Sequence, residues 1–414
     1  MRCDPVAGAE RLLRPAFLSP AWPAENAANG IVTYVDRITA SLRRLGHQPC
    51  VLAACKSGGA IWPDAYFLWD QERTPLDRVI DPIAFRLNSE DASRRRFAAN
   101  IVRSAMRAKA ERGIELLEME ETFGLAQLVR PRLPIPIVLR LHGPFFAIGP
   151  ASAASPAEIR ARVRREGAGV AKVDAVSAVS RDILEKTRAQ YGLPLPNAIV
   201  IPNPAPIVPL GERWRLAGCD RSRILFIGRF DRVKGGDVAI DCMRILVRTF
   251  PNIRLWFAGP DNGFTDDAGK RWSFREYVRQ HAPEAAACVD WLGTQTLESL
   301  SDFRRRALVT IVASRYETFG LTALEAMAFG CPLVTTRAGG IPEMVSDGVN
   351  GLLCPPAEPG AMAAAIARLV REPDLAVRLG DRAGKDATDN YHPDKIARQT
   401  AAFYRQVLEG RGAA

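Results

Sequence analysis

Between Ile201 and Pro209 the chain reads Ile-Pro-Asn-Pro-Ala-Pro-Ile-Val-Pro, with four prolines in the eight residues 202–209. Proline lacks an amide donor and fixes φ, so this run can be neither a helix interior nor a central strand. It reads instead as a stiff linker that splits 414 residues into two stretches of ordinary domain size. On both sides of it, short apolar runs alternate with amphipathic patterns of helical period. That alternation is the mark of α/β units wound around a parallel sheet.

In the first stretch the strand candidates are 15–19, 49–53, 114–118, 136–140 and 175–178, and helices are predicted over 92–112, 157–172 and 181–190. A first helix follows Asn29-Gly30, where Ile31, Val35, Ile38, Leu42 and Leu45 recur at helical spacing and Gly46 supplies the stop. After the prolines, strands are predicted at 223–227, 254–258, 308–313 and 332–335, with helices at 237–249, 321–329, 359–371 and 374–389. An amphipathic stretch over 393–408 closes the chain. The expected fold class is therefore α/β, two doubly wound Rossmann-like domains with a cleft between them. Its parts are a first domain over 1–200, the linker 201–209, a second domain over 210–390 and a terminal helical segment over 391–414. Ligands of such sheets bind at the C-terminal ends of the strands.

Composition narrows the class further. A hydrophobic fraction of 47% with 25% charged residues is that of a globular chain, neither disordered nor fibrous. No apolar run approaches the ~18–20 residues that cross a bilayer. Charges at Arg2, Asp4, Glu10, Arg11 and Arg14 break up the N-terminus, which does not read as a signal peptide. Eight cysteines without a C-x-x-C pair and four scattered histidines offer no zinc spacing, and suit reduced thiols in a cytoplasmic protein. Of the formal charge of +10, most lies in residues 1–206, with 28 Lys and Arg against 21 Asp and Glu. Such an excess fits phosphorylated small molecules or anionic lipid. With 7% aromatics and no recognition-helix or RNP motif, nucleic acid is not expected as a partner. The stretch 92–112 sets Phe97, Ile101, Ala105 and Ala108 at helical spacing among seven basic residues. It reads either as a peripheral membrane contact or as a solvated helix with its stripe on the sheet.

Three segments could carry chemistry. In Ile224-Leu-Phe-Ile-Gly-Arg-Phe-Asp-Arg-Val-Lys-Gly-Gly-Asp237 a strand ends at Gly228, and a helix starts after Gly235-Gly236. Arg229 and Lys234 then sit beside a helix N-terminus, a combination suited to a diphosphate, although a solvated basic loop has the same composition. In Ser314-Arg-Tyr-Glu-Thr-Phe-Gly-Leu-Thr-Ala-Leu-Glu325, Glu317 lies in a loop and Glu325 about one turn into a helix that opens near Gly320, Leu321 and Thr322. A carboxylate can accept two hydroxyl hydrogen bonds, so the pair suits a polyhydroxylated ligand, or they are ordinary cap residues. Arg337-Ala-Gly-Gly-Ile-Pro-Glu343 forms a glycine turn after a strand, and His142 falls just past the strand candidate at 136–140. Gly167-Ala-Gly169 imitates half of a dinucleotide fingerprint but follows no strand. Asp-x-Asp, G-x-S-x-G and H-E-x-x-H are absent from the sequence, so no metal site is expected.

Taken together, these segments resemble glycosyltransferase family 4, retaining and metal-independent enzymes of the GT-B fold. The resemblance is dense from Ile201 to Cys354 and thins through the first half, where Asn29-Gly30 stands in place of the family's Gly-Gly loop. It implies that Arg229 and Lys234 hold the donor diphosphate and stabilise its departure. It gives Glu325 the ribose hydroxyls and Glu317 the transferred sugar. Gly228 shapes the donor loop, and the amides of Phe319, Gly320, Leu321 and Thr322 lie near phosphate and sugar. Gly30 approaches the diphosphate from the opposite domain, and His142 reaches the donor sugar. The first domain would bind the acceptor and the last helix would cross back onto it. Retention in this family is thought to proceed by front-face attack, with no enzymic nucleophile. The implied reaction moves a sugar from a UDP- or GDP-sugar co-substrate to a glycan, lipid-linked or small-molecule hydroxyl in glycan or glycoconjugate biosynthesis, without a cofactor. The location would be the cytoplasm or the inner face of the membrane. A non-catalytic sugar-nucleotide-binding or scaffolding protein of the same fold is the alternative. Its mark would be loss of the Arg229, Lys234 or Glu325 position, and all three are filled.

Overall fold

The computed structural model describes residues 11–24, 29–56, 62–70, 89–152 and 154–412. Two parallel sheets organise them, as the alternation predicts. The first sheet comprises β1 (Pro15–Trp22), β2 (Cys50–Lys56), β3 (Ala65–Phe67), β4 (Leu116–Glu120), β5 (Ile137–Leu141), β6 (Ala175–Ala178) and β7 (Ala198–Val200). Its strand order is β3-β2-β1-β4-β5-β6-β7. The helices α1 (Gly30–Arg44), α2 (Ser89–Arg112), α3 (Pro156–Val170) and α4 (Arg181–Tyr191) connect it.

The second sheet begins with β8 (Asp220–Ile227) and β9 (Arg254–Ala258), and a small antiparallel pair, β10 (Phe264–Thr265) and β11 (Arg271–Trp272), projects beyond them. It continues with β12 (Val289–Gly293), β13 (Ala307–Val312), β14 (Leu333–Thr336) and β15 (Leu352–Cys354), in the order β12-β9-β8-β13-β14-β15. Its helices are α5 (Gly236–Leu246), α6 (Phe274–His281), α7 (Leu297–Arg306), α8 (Leu321–Ala328), α9 (Pro359–Arg371), α10 (Pro373–Tyr391) and α11 (Pro393–Gly412). In each sheet the winding reverses, at β1/β4 and at β8/β13 respectively, and such reversals open a crevice above the strand ends. The family-type architecture expected from sequence, two Rossmann-like units, is what is seen.

The terminal helix α11 packs against the first sheet rather than the second. Ile396, Ala397, Ala401, Phe403 and Tyr404 share a core with Phe17, Val35, Ile38 and Val51. Arg44 adds an ion pair to Asp394 at 2.7 Å. Burial of the larger apolar side chains of this contact, such as Ile396 and Phe403, is worth about 1.5–3 kcal/mol each.

Beneath that contact lies a polar network. Glu118 on β4 is buried and accepts hydrogen bonds from the hydroxyls of Tyr34 on α1 (2.7 Å) and Tyr404 on α11 (2.8 Å). Its counter-charge is Arg140 on β5, also buried, whose guanidinium lies 4.0 Å from the centre of the Tyr34 ring. Arg140 donates to the carbonyl of Ile201 at 3.0 Å and to Oδ1 of Asn203 at 2.9 Å. The proline-rich segment is thereby fastened to the first sheet.

The structure decides the reading of 92–112. Of the predicted stripe, Ile101, Ala105 and Ala108 are fully buried and Phe97 is partly buried against the same core, so the stripe packs on the protein and not on a lipid surface. Arg94, Arg107 and Arg112 are paired with Asp91, Glu111 and Asp64. Among the described residues no helix is long and apolar enough to cross a membrane. The Gly167-Ala-Gly169 decoy lies within α3. A Cβ on Gly167 would stand 2.5 Å from the ring of Tyr191, so its glycine serves packing. The first ten residues, on which the N-terminal reading partly rests, lie outside the described residues.

Arg140→Met should cost about 3–5 kcal/mol, because it strands the buried Glu118 carboxylate. Tyr404→Phe should cost about 1–3 kcal/mol by removing one hydrogen bond to a charged group. Urea denaturation of both variants measures this, and equal, negligible losses would contradict the network.

Candidate active site

The basic loop forms where β8 ends. Gly228 lies at the strand end, but the tight constraint falls on its neighbour Gly259, at φ +151°, where a Cβ would come within 1.9 Å of the Gly228 carbonyl oxygen. A Cβ on Gly228 itself would come closest to the Phe226 ring, at 3.1 Å. Gly235, at φ +69°, opens α5, and a Cβ there would run into the Ala313 carbonyl at 2.0 Å. Between them, Asp231 organises both cations. It accepts from Arg229 Nε at 2.6 Å and from the backbone amide of Lys234 at 2.8 Å. The Lys234 ammonium reaches across to Glu317 at 2.6 Å, and the Ser314 hydroxyl donates to the same oxygen at 2.7 Å.

The second loop runs from Ser314 to Gly320. Phe319 is buried, and Gly320 turns at φ +95° to open α8. No side chain caps α8, and none caps α5. First-turn amides left without side-chain acceptors, with the positive end of the helix dipole behind them, suit an anion. The amides of Leu321 and Thr322 belong to that turn. Glu325, one turn along, has both carboxylate oxygens engaged: Oε1 by Arg37 of α1 at 2.6 Å, and Oε2 by Arg304 of α7. Burial pushes this carboxyl up, but Arg304 and Arg37 more than offset it, and it sits below the usual carboxylate range.

The first half closes on these loops directly. Asn29 has extended backbone (φ −140°), and its side chain accepts from the amide of Ile31 at 2.8 Å. Asn29 is thus a helix N-cap, and Gly30 is the first residue of α1. A Cβ on Gly30 would stand 3.1 Å from Leu321 Cδ1, so the two helix starts touch. His142 follows β5, its ring edge-on to Tyr34 at 5.0 Å. Burial and the nearby Arg140 hold its pKa well below the ordinary value, so the imidazole is neutral at pH 7. Its carbonyl accepts from Thr318 Oγ1 at 2.5 Å, and Ser180 Oγ donates to the Thr318 carbonyl at 2.6 Å. Glu343 accepts the first two amides of α4, from Arg181 and Asp182, both at 2.8 Å.

Among the residues singled out from sequence, Gly30 and His142 of the first half thus meet Leu321 and the loop at Thr318 of the second, Glu325 pairs with Arg37 across the same interface, and Lys234 joins Glu317 near the end of β8. Asp231, Arg37, Arg304, Ser180 and Thr318 join them and were missed. Only Asp231 carried a local signal, lying between the two cations it organises. A surface groove of about 400 Å³ beside β12, lined by Phe274, Arg275, Val278 and Trp291, contains none of them. Among the described residues no group of three His, Cys, Asp or Glu could hold a metal ion.

Two family models match this chain in tandem. Residues 217–386 match the model described as glycosyl transferases group 1, and residues 29–204 that described as glycosyl transferase 4-like domain. The chain belongs to the glycosyl transferases group 1 family. Among curated members, a D-inositol 3-phosphate glycosyltransferase of Acidothermus cellulolyticus is 34% identical over 195 residues, 45% of this chain and 42% of that relative. The match thus spans less than half the length of that relative. Solved structures align over nearly the whole chain. Sucrose-phosphate synthase from Thermosynechococcus elongatus superposes with a TM-score of 0.73 at 21% identity, covering 96% of this chain and 100% of the other. HepE from Anabaena, solved with UDP and glucose, gives 0.69 at 18% identity, covering 95% and 99%. Both show the GT-B fold.

Behind His142 lies a cluster of carboxyls that this family member holds in the first half. Glu121 accepts from the amides of His142 (3.0 Å) and Gly143 (2.6 Å), and Glu166 from the amide of Phe145 (2.7 Å). One oxygen of Glu120 is buried without a partner. Burial, reinforced by Glu121, pushes Glu120 up to about 8, and the same two causes push Glu166 up to about 7. A carboxyl whose folded pKa is raised stabilises fully below its unfolded pKa, and that contribution is lost as pH rises through the folded value. The protein should therefore lose thermal stability from about pH 4.5, the usual carboxylate value, up to about pH 8, and level off above it. Glu120→Gln should flatten that loss while matching wild type at about pH 4; identical pH dependence of melting between about pH 4 and pH 8 would contradict it.

Proposed function

We propose that the protein is a retaining glycosyltransferase that moves a sugar from a UDP- or GDP-sugar to a hydroxyl of a glycan, lipid-linked or small-molecule acceptor. One observation carries the reading. Lys234, Glu317, Glu325 and the uncapped start of α8 converge from the second half onto Gly30 and His142 of the first. The solved structures of HepE with UDP and with UDP-glucose support a nucleotide sugar as donor.

In this reading the diphosphate lies between Arg229, Lys234 and the amides at 319–322. The Arg229–Asp231 and Lys234–Glu317 pairs loosen as phosphate oxygens arrive. As the sugar–phosphate bond breaks, charge grows on the leaving oxygen, and the fixed cations and helix dipole stabilise it without reorganising. Glu317 accepts sugar hydroxyls, and Glu325 accepts the ribose diol. Neutral His142 offers a hydrogen bond without adding charge near the anomeric centre. The departing phosphate oxygen takes the acceptor's proton, and the new glycosidic bond forms on the face the diphosphate leaves, so no protein nucleophile is needed. The reaction takes place in the cytoplasm, with lipid contact resting on exposed arginines such as Arg95 and not on an inserted stripe.

Lys234→Ala and Arg229→Ala should lower kcat by about 10²–10³, because their interaction strengthens toward the transition state. Glu325→Gln should instead raise the donor KM about tenfold with kcat little changed. Gln is preferred to Ala because Arg304, almost wholly buried, would lose its partner. Steady-state kinetics with circular dichroism separate the roles, and wild-type kcat in both cation variants would exclude them. Charge neutralisation by side chains also implies activity in excess EDTA. Loss under chelation, restored by magnesium or manganese, would refute that part.

A further inference from the structure

The ribose role given to Glu325 falls on a crowded carboxylate. A ribose offers two hydroxyl donors, and each carboxylate oxygen has two lone-pair sites. Here each oxygen already accepts from a guanidinium, one from each half of the molecule, and the Glu325 side chain is only 14% exposed. A diol that binds there competes with the two arginines for the space around the carboxylate, and the arginine more easily moved gives way.

The geometry says which. The Arg304 side chain is 3% exposed and lies on the same half as Glu325. Moving it would strand a buried cation, at a cost far above that of one lost surface pair. The Arg37 side chain is 15% exposed and belongs to the opposite half. Its other anchor is a 3.3 Å hydrogen bond to the carbonyl of Pro204, in the segment that joins the halves. Gly30 and Arg37 lie two turns apart on one face of α1, and Leu321 and Glu325 one turn apart on α8. The two helices therefore meet at both pairs, Gly30 against Leu321 and Arg37 against Glu325.

We propose that Arg37 is a positioning residue that latches α1 to α8 through Glu325 when the site is empty, and that the vicinal diol of the nucleoside releases the latch by displacing it from Oε1. The proposal rests on the reading of Glu325 as the ribose acceptor. Arg37 then acts through Glu325 and sets the affinity for the nucleoside part of the donor. It does not bind the diphosphate.

Three ligands separate this from a structural or direct role: UDP, GDP and inorganic pyrophosphate, measured by calorimetry on wild type, Arg37→Ala and Arg37→Lys. Removing the competitor should tighten the nucleoside diphosphate by roughly three- to tenfold, as for loss of one partly exposed ion pair. Pyrophosphate, which does not reach Glu325, should bind all three proteins alike, and Arg37→Lys should restore wild-type affinity. Weaker binding of both the nucleotide and pyrophosphate to Arg37→Ala would make Arg37 a diphosphate ligand and overturn the latch. Unchanged nucleotide affinity would overturn it too. Hydrogen exchange without ligand tests the latch by itself. Arg37→Ala should speed exchange at least threefold in the amides of 31–37 and 321–328, and unchanged rates there refute it. If neither UDP nor GDP binds the wild type, the donor reading fails while the exchange result still judges the latch.

Discussion

Two opposite charges sealed beneath the first sheet, Glu118 and Arg140, hold this molecule's parts in register. Neither could be buried alone, since an uncompensated buried charge costs several kcal/mol. Each is therefore surrounded by donors or acceptors from a different stretch of chain. Tyr34 arrives from α1, Tyr404 from α11, and Ile201 and Asn203 from the proline-rich segment. The need to satisfy these two buried groups thereby positions the helix that carries Gly30 and Arg37, the strand that ends at His142, and the segment leading into the second half.

That arrangement explains how a site made of weak local features becomes specific. A basic loop, a pair of glutamates and a glycine turn are each common. Here the first half supplies acceptors and donors that only a fixed spacing could meet: the His142 carbonyl for Thr318, the Ser180 hydroxyl for the Thr318 carbonyl, and the α4 amides for Glu343. The loop between Glu317 and Gly320 is clasped from across the interface, with its carboxylates already committed to cations.

Much of this was legible in the amino-acid order, and the rest fails for identifiable reasons. The long central strands and their helices follow from apolar runs and periodicity, and the Gly235 and Gly320 helix starts from glycine placement. The short strands β3, β7 and β15 were not found, because three residues carry no period. Helix α6 was overlooked despite a complete capping box at Ser273 and Glu276, a signal that was present to be read. Arg37 and Arg304 could not have been found locally. Their role comes from a carboxylate that only the fold brings near, nearly three hundred positions away in the case of Arg37.

The return of α11 to the first sheet has a mechanical consequence. The second half is joined to the first by two covalent crossings, one through 201–209 and one between Tyr391 and Pro393, and the two lie side by side where the Ala205 amide bonds the Tyr391 carbonyl at 2.9 Å. A body tethered at two neighbouring points cannot translate or twist freely. It swings, like a door on paired pins, about the line that joins them. Arg37 reaches from α1 to the Pro204 carbonyl in one pin and to Glu325 of α8, so the contact between these two helices sits close to that line, where rotation displaces atoms least.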